Sequence, residues 1–259
     1  MLPLDSAWLP WIEGMVINTG LLALAWLAPK KLLTPAGYGH AWALGVLLWG
    51  CLGWPGYALM MIYFLVGSAV TKVGMARKQA AGIAEGRSGM RGPENVWGSA
   101  LAGTLCALAI WGLNTWAGPS PGVWIAALGL GYVASLSTKL SDTTASEVGK
   151  AYGRRTFLMT TLKPVPAGTE GAVSLEGTLA GVLGSAVMAI AGWGVGLIAL
   201  WGIPICLVAA LIATSAESVI GATVQGQWPW LTNEVVNIIN TTLGALVAMG
   251  LGLVWVGLG

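Results

Sequence analysis

Read from its start, the chain alternates long apolar runs with short polar segments, and the apolar runs lack the every-second-residue pattern of transmembrane strands. A helix needs about 20 mostly apolar residues to cross a bilayer. Such stretches fall at Ser6–Ala28, His40–Gly53, Pro55–Val70, Val96–Trp116, Gly122–Thr138, Gly177–Ala191, Gly194–Ala213 and Val235–Val256. The pattern predicts an all-α, polytopic transmembrane bundle of about eight helices, forming one integral-membrane domain over residues 1–259.

Composition removes the competing classes. Of 259 residues, 56% are hydrophobic and 8% are charged, against roughly 25% charged in a soluble domain. A soluble chain of this size could not hide so much apolar surface. An ordinary cytosolic enzyme, a disordered protein and a disulfide scaffold are excluded, and no nucleic-acid partner is expected.

The placement of the few charges is more informative than their sum. Lys30 and Lys31 follow the first predicted span. Lys72, Arg77, Lys78, Arg87 and Arg91 follow the third, and Lys139, Lys150, Arg154, Arg155 and Lys163 follow the fifth. These are all 12 Lys and Arg, and every one falls in an alternate loop. The opposite loops, around Trp54, Gly118 to Pro121 and Gly192 to Gly194, carry none. The positive-inside rule then makes the basic face cytoplasmic and puts both termini outside. The opening Met1-Leu-Pro-Leu-Asp5 has neither the basic region of a secretory signal nor a transit-peptide composition, which favours a prokaryotic cell or internal membrane, or a mature chain. Cys51, Cys106 and Cys206 lie within apolar spans and suit neither disulfides nor zinc. His40 and many Trp residues near span ends read as interfacial anchors.

The basic-side segments share a plan: a helix ending in polar residues, a loop, and a new helix opening with Glu or Asn and continuing rich in Gly and Ala. Three such units suggest internal helix-pair repeats. The polar positions recur at helical spacing: Asp142, Ser146 and Gly149; Ser174, Thr178, Gly181 and Ser185; Glu217, Gly221 and Gln225; Asn233, Asn237 and Asn240 or Thr241. Such stripes must face the bundle interior, since lipid cannot satisfy their hydrogen bonds. The Gly, Ala and Ser positions read as close helix packing. Asp142, Glu147, Glu217, Asn233 and Asn237 read as functional, because packing does not call for carboxylates at several corresponding edges.

No Walker A, dinucleotide-binding, metalloprotease or nucleophile-elbow motif is present. With one His, read as an interfacial anchor, a Ser-His-Asp triad is not expected. The inventory is instead carboxylates and amides, which are hard oxygen ligands suited to Mg2+, beside Lys and Arg that neutralise phosphate. A turn at Gly168-Thr169-Glu170-Gly171 offers backbone amides. This is the inventory of a phosphoryl-transfer site, where catalysis is largely positioning and charge neutralisation. Lys72, Lys139 and Lys163 adjoin polar motifs, whereas Lys30, Lys31, Arg154 and Arg155 read as topology signals.

Four runs carry a family resemblance: Ser141-Asp-Thr-Thr-Ala-Ser-Glu-Val-Gly149, Lys163-Pro-Val-Pro-Ala-Gly-Thr-Glu-Gly-Ala-Val-Ser174, Glu217-Ser-Val-Ile-Gly-Ala-Thr-Val-Gln225 and Leu231-Thr-Asn-Glu-Val-Val-Asn237, with Asn18 and Leu33-Thr34-Pro35 near the start. Together they resemble the integral-membrane family, long catalogued only as a domain of unknown function, that includes phytyl-phosphate kinase of tocopherol biosynthesis. Glu217 departs from the Asp common in that family, keeping the charge but lengthening its reach. Asp142 with Ala145-Ser146 and Gly149 also resembles CTP-dependent polyprenol and phytol kinases.

The resemblance implies phosphoryl transfer from a nucleoside triphosphate, CTP foremost, to phytyl or another prenyl monophosphate, in a cyanobacterial-type cell or thylakoid membrane. On that reading segments 71–96, 138–177 and 214–234 form the catalytic face. Asp142, Glu147 and Glu217 hold Mg2+ and organise phosphate. Lys139 and Lys163, with Lys72, hold the donor phosphates. Asn95, Ser146, Thr169, Glu170, Ser174, Ser218, Gln225, Asn233 and Asn237 bind or orient substrate and nucleotide. Two other readings stay open: a CTP-dependent cytidylyltransferase acting on a lipid phosphate, and a lipid or solute transporter that uses its polar stripes as a pathway.

Overall fold

The computed structural model describes residues 4–116, 122–225 and 227–258, so the Gly118 to Pro121 loop lies outside the described residues. The long helices are α1 (Leu4–Leu27), α2 (Pro35–Thr71), α4 (Pro93–Trp116), α5 (Gly122–Tyr152), α6 (Leu175–Gly194), α7 (Gly202–Thr223) and α8 (Asn233–Leu258), and a short α3 (Met75–Ala80) lies between α2 and α4. Seven helices are long and apolar enough to cross a membrane.

One of the seven is two. Within α2, Gly53 leaves helical geometry at φ 65°, ψ −159°, and the contacts on either side show that the chain reverses there. Asn18 of α1 donates to the Trp42 carbonyl at 2.7 Å and accepts from the Tyr57 hydroxyl at 2.8 Å. In a straight helix those residues would stand roughly 22 Å apart. Likewise Arg91 accepts from the Thr34 amide at 3.0 Å and donates to the Tyr63 hydroxyl at 3.1 Å, touching the two ends of α2 at once. The limbs before and after Gly53 are therefore the second and third predicted spans, and the bundle has eight membrane-length limbs among the described residues. Thr34 caps the first limb by accepting from the Gly37 amide at 3.1 Å, and Pro35 follows it at the helix start.

The central element is α5, which packs against α2, α3, α4, α6, α7 and α8. Its middle stretch from Gly129 to Ser141 is wholly buried, and the Tyr132 hydroxyl donates to the Gly56 carbonyl at 2.6 Å, tying α5 to the tip of the hairpin. Glycines on α6 allow the close approach of α5 and α6: a Cβ at Gly181 would stand 3.0 Å from the Ser141 hydroxyl, and one at Gly184 2.8 Å from that of Thr144. The peripheral α1 packs on α2 and leaves Leu21, Leu24 and Leu27 exposed on its other side, as a lipid-facing helix should.

The sequence pattern places the end of the fifth span at Thr138, but α5 continues to Tyr152; α7 runs from Gly202 to Thr223, offset from the expected Gly194–Ala213. Hydropathy falls where polar residues begin, whereas the helix persists because those residues find partners inside the protein. Residues expected as loop therefore lie largely on helix. A second departure from an all-helical chain is a small antiparallel pair, β1 (Thr156–Leu158) with β2 (Ala172–Ser174), between α5 and α6. Pro164 and Pro166 in the intervening loop preclude a helix there.

The three polar units correspond to packed pairs: the second limb of α2 with α4, α5 with α6, and α7 with α8. Their connections differ, being α3 with a 3-10 turn, a β-hairpin, and a short turn. All the basic residues gather at the end of the bundle where these connections lie, and α1 begins and α8 finishes at the opposite end. Exposed Trp residues mark both ends, including Trp8, Trp54 and Trp124 at one and Trp228 and Trp230 at the other.

The Gly53 conformation is nearly exclusive to glycine. Gly53→Ala should destabilise the protein by about 1–3 kcal/mol, while Gly20→Ala, where a Cβ meets nothing within 4 Å, should leave stability unchanged. Thermal unfolding in detergent compares the two.

Candidate functional site

The site begins with Lys139, buried in the polar half of α5. Its ammonium donates to Asp142 Oδ2 at 2.5 Å, one helical turn along, and to Asn237 Oδ1 of α8 at 2.6 Å. A buried ammonium must be paired and hydrogen-bonded to be tolerated, and both partners come from the stripes that the sequence shows. From α7, Glu217 reaches the same junction. Asn240 of α8 donates to its carboxylate, and both Lys139 and Asp142 stand within its electrostatic range. Three helices thus meet at a cation, two carboxylates and two amides.

Above this junction lies a cavity of about 450 Å3. Among the expected site residues, Lys139, Asp142, Ser146, Glu147, Asn95, Thr169, Glu170, Ser174, Glu217, Ser218, Gln225, Asn233 and Asn237 all line it. Several have local duties too. Ser174 caps α6 by accepting from the Gly177 amide at 3.1 Å, and Asn95 accepts from the Gly92 amide at 3.0 Å just before α4. Ser146 and Ser218 donate to carbonyls of their own helices, leaving lone pairs for the cavity.

The loop carrying Thr169 and Glu170 is pressed against α7. Gly171, at φ 72°, sits so close that a Cβ would overlap the backbone around Ser218 and Ala222, and a Cβ at Gly221 would stand 2.9 Å from the Gly171 nitrogen. Gly171 and Gly221 are therefore packing positions, and they bring the Thr169–Glu170 turn over the cavity opposite Glu217.

Three expectations need correction. Lys72 and Lys163 are exposed and do not line the cavity; Lys72 caps the end of α2, and Lys163 lies in the turn after β1. Proximity to a motif in sequence did not become proximity in space, because Lys72 ends α2 facing out and Lys163 sits on the outer turn of the β1–β2 hairpin, while the neighbouring helices carry their polar side chains inward. The cationic lining comes instead from Lys139, Lys150 and Arg91.

The third correction concerns Glu147. Its carboxylate is held by Lys78 of α3, which is 0% exposed and also donates to the Thr71 carbonyl at 2.8 Å; Lys150 stands 3.9 Å away. This ion pair fastens the 71–96 segment to α5. Among the described residues no three His, Cys, Asp or Glu side chains form a metal-holding group, so Asp142, Glu147 and Glu217 do not assemble into one cage. The remaining donor set still suits Mg2+, which is commonly bound through one or two carboxylates together with phosphate oxygens: Asp142 and Glu217 face the cavity, and the neighbouring Asn240 Oδ1 is buried with no partner among the described residues.

Sequence reasoning missed Lys78, Lys150 and Arg91. The only available signal was arithmetical: a buried Glu147 beside Asp142 requires a second cation. Nothing in the sequence said which of five basic residues between α2 and α4 would supply it.

Together these features define a polytopic helical membrane protein with a polar cavity, lined by cations, carboxylates and amides, at its basic end. The chain belongs to the family described as Integral membrane protein DUF92, whose model matches residues 18–245. This is the family that the four motifs resemble. A cyanobacterial relative, Uncharacterized membrane protein sll0875 of Synechocystis, is 65% identical over 93% of this chain and 91% of its own. Protein VTE6, chloroplastic, of Arabidopsis thaliana is 46% identical over 95% of this chain and 73% of its own. Uncharacterized membrane protein MJ0933 of Methanocaldococcus jannaschii is 34% identical over 79% of each. No solved structure matches.

Glu147→Gln leaves Lys78 buried without a countercharge and should cost about 3–5 kcal/mol, read as a lowered unfolding temperature in detergent. The double replacement Lys78→Met with Glu147→Leu should recover most of that loss, which distinguishes an ion-pair clamp from a catalytic carboxylate.

Proposed function

We propose that the protein is a membrane kinase that transfers a phosphoryl group from a nucleoside triphosphate, CTP by family resemblance, to a prenyl monophosphate such as phytyl phosphate, giving the diphosphate. The observation that carries this reading is the single cavity in which Lys139, Asp142, Glu217 and Asn237 meet, at the end of the bundle where every Lys and Arg gathers. The family membership and the 46% identity to VTE6 support it. By the positive-inside rule the cavity faces the cytoplasm and both termini face away.

The chemistry suits the residues. An ionised oxygen of the lipid monophosphate attacks the γ-phosphorus, and a new P–O bond forms. The bond from γ-phosphorus to the β,γ-bridging oxygen breaks, and that oxygen leaves with the nucleoside diphosphate. A phosphate monoester has a second pKa of about 6, so its nucleophilic oxygen needs no general base and a cavity without His is adequate. Lys139, aimed by Asp142 and Asn237, meets the charge of the transferring group without reorganising at the moment of reaction. Asp142 and Glu217 would hold Mg2+, which supplies further charge neutralisation on the donor phosphates. The Thr169–Glu170 turn closes over the donor, and Asn95 and Asn233 orient oxygens at the starts of α4 and α8.

Purified protein incubated with Mg2+, phytyl monophosphate and CTP labelled at either the α- or the γ-phosphorus decides among the three readings. The γ-label in a lipid diphosphate is the expected result. The α-label in a lipid would mean cytidylyl transfer with release of pyrophosphate, and no label in any lipid would leave the carrier. Asp142→Asn, which keeps a hydrogen-bonding group beside Lys139 and leaves Glu217 as its nearby carboxylate, should lower turnover by at least about 100-fold in protein that still folds; wild-type turnover in that variant would remove Asp142 from the mechanism.

A further inference from the structure

A second cavity, of about 210 Å3, lies between α1, both limbs of α2 and the start of α4. Its walls include Leu22, Leu44, Met60, Phe64, Val96 and Ala100, and Lys30 and Tyr38 are among its polar lining residues. At one end Asn18 and Tyr57 are hydrogen-bonded to each other. At the other, Arg91, Asn95 and Ser99 line both this cavity and the polar one. An apolar space thus opens at its polar mouth into the site described above.

The mouth residue Arg91 is itself incompletely matched. Its guanidinium lies over the Tyr63 ring, 5.5 Å from the centroid, and donates to the Tyr63 hydroxyl at 3.1 Å. Among the described residues no carboxylate pairs with it, whereas Lys78, Arg87 and Lys139 each have one. A half-buried guanidinium at the edge of an apolar cavity, stacked and aimed but without an anion, is well suited to bidentate recognition of phosphate.

We infer that the apolar cavity holds the head-proximal part of the acceptor's isoprenoid chain, with Arg91 gripping the monophosphate at the junction and presenting it to the polar cavity. This rests on the kinase reading above and deepens it by assigning the acceptor subsite. Between Tyr57 and Phe64 the second limb of α2 rises about 10 Å, so the first isoprene units fit inside and the rest of the chain lies along α1 in the bilayer. The cavity and the donor pocket share only the mouth residues, so a chain seated here leaves the space beside Lys139 and Glu217 to the nucleotide. Ala41, whose carbonyl accepts from Asn18, then borders the inner end of the chain subsite.

Two measurements test this. In the first, wild-type protein is irradiated with a prenyl monophosphate carrying a diazirine on its second isoprene unit, and the labelled peptides are mapped. Label in α1 and α2, displaced by phytyl monophosphate at least tenfold more effectively than by phytol, is expected. Label in α6 or α7, or equal displacement by the alcohol, overturns the assignment. In the second, Ala41→Phe should raise KM for phytyl monophosphate at least tenfold and leave KM for a five-carbon monophosphate unchanged, while Arg91→Gln should raise both. Equal effects of Ala41→Phe on the two acceptors, or none, overturn the chain subsite. Failure of that variant to fold leaves the wild-type labelling to decide. Label in α1 and α2 without any lipid diphosphate formed would refute the kinase reading and keep the subsite; turnover with label elsewhere would do the reverse.

Discussion

A charged side chain carried into an apolar bundle must find its partners in the protein, because lipid offers none. Lys139 is where this constraint acts most strongly. Its ammonium reaches Asp142 on its own helix and Asn237 on α8, and Glu217 of α7 approaches the same group. The arrangement obliges α5, α7 and α8 to converge at one depth and keeps α5 helical well past the point where its apolar run ends. It also explains the small residues nearby. Helices can share one polar junction only if their backbones come close, and Gly244 of α8, where a Cβ would overlap the Thr138 side chain of α5, permits this.

The eight limbs, the basic end and the four polar stripes are legible in the sequence because each is a periodic signal: length of apolar run, alternation of charged loops, and spacing of three or four on a helix. What stays hidden is whatever depends on a partner distant in the chain. The spans on either side of Gly53 are visible, but a turn of one residue is not, since it relies on a conformation nearly exclusive to glycine and on Asn18 bridging both limbs. The extension of α5 to Tyr152 is hidden for the opposite reason. Its polar side chains resemble a loop until Lys78, Asn237 and the cavity are placed around them. Lys72 and Lys163 mislead because adjacency along the chain says nothing about which way a connecting turn faces.

Within the candidate site, Asp142, Glu147 and Glu217 look alike in the sequence as carboxylates near polar stripes, but the structure surrounds them differently. Burial separates them. Glu147 is 3% exposed and matched by a lysine with no exposure at all, so its charge is consumed in holding the 71–96 segment against α5. Asp142 and Glu217 are half-buried, border open space, and share one lysine between two carboxylates. On the proposed reading, two carboxyl groups that share one lysine beside a cavity keep oxygen atoms available to an entering cation, which a fully compensated pair would not.

The same reasoning orders the positive side. A phosphate-handling site at a membrane surface meets two kinds of phosphate, a soluble one arriving from water and a lipid one confined to the bilayer, and on the proposed reading they need cations at different depths and angles. Lys139, fixed between Asp142 and Asn237 near the middle of the polar cavity, is pre-aimed and cannot follow a diffusing head group. Among the described residues the Arg91 guanidinium is held by an aromatic face and one hydroxyl, at the boundary where apolar walls begin. The first arrangement suits charge that develops at a fixed point, and the second suits an acceptor whose hydrocarbon chain must remain in apolar surroundings while its phosphate advances. The Gly53 hairpin makes the second possible, because only a chain reversed at that point lays Ala41 and Leu44 of the first limb beside Tyr57 to Phe64 of the second, walling one apolar cavity with Arg91 at its mouth.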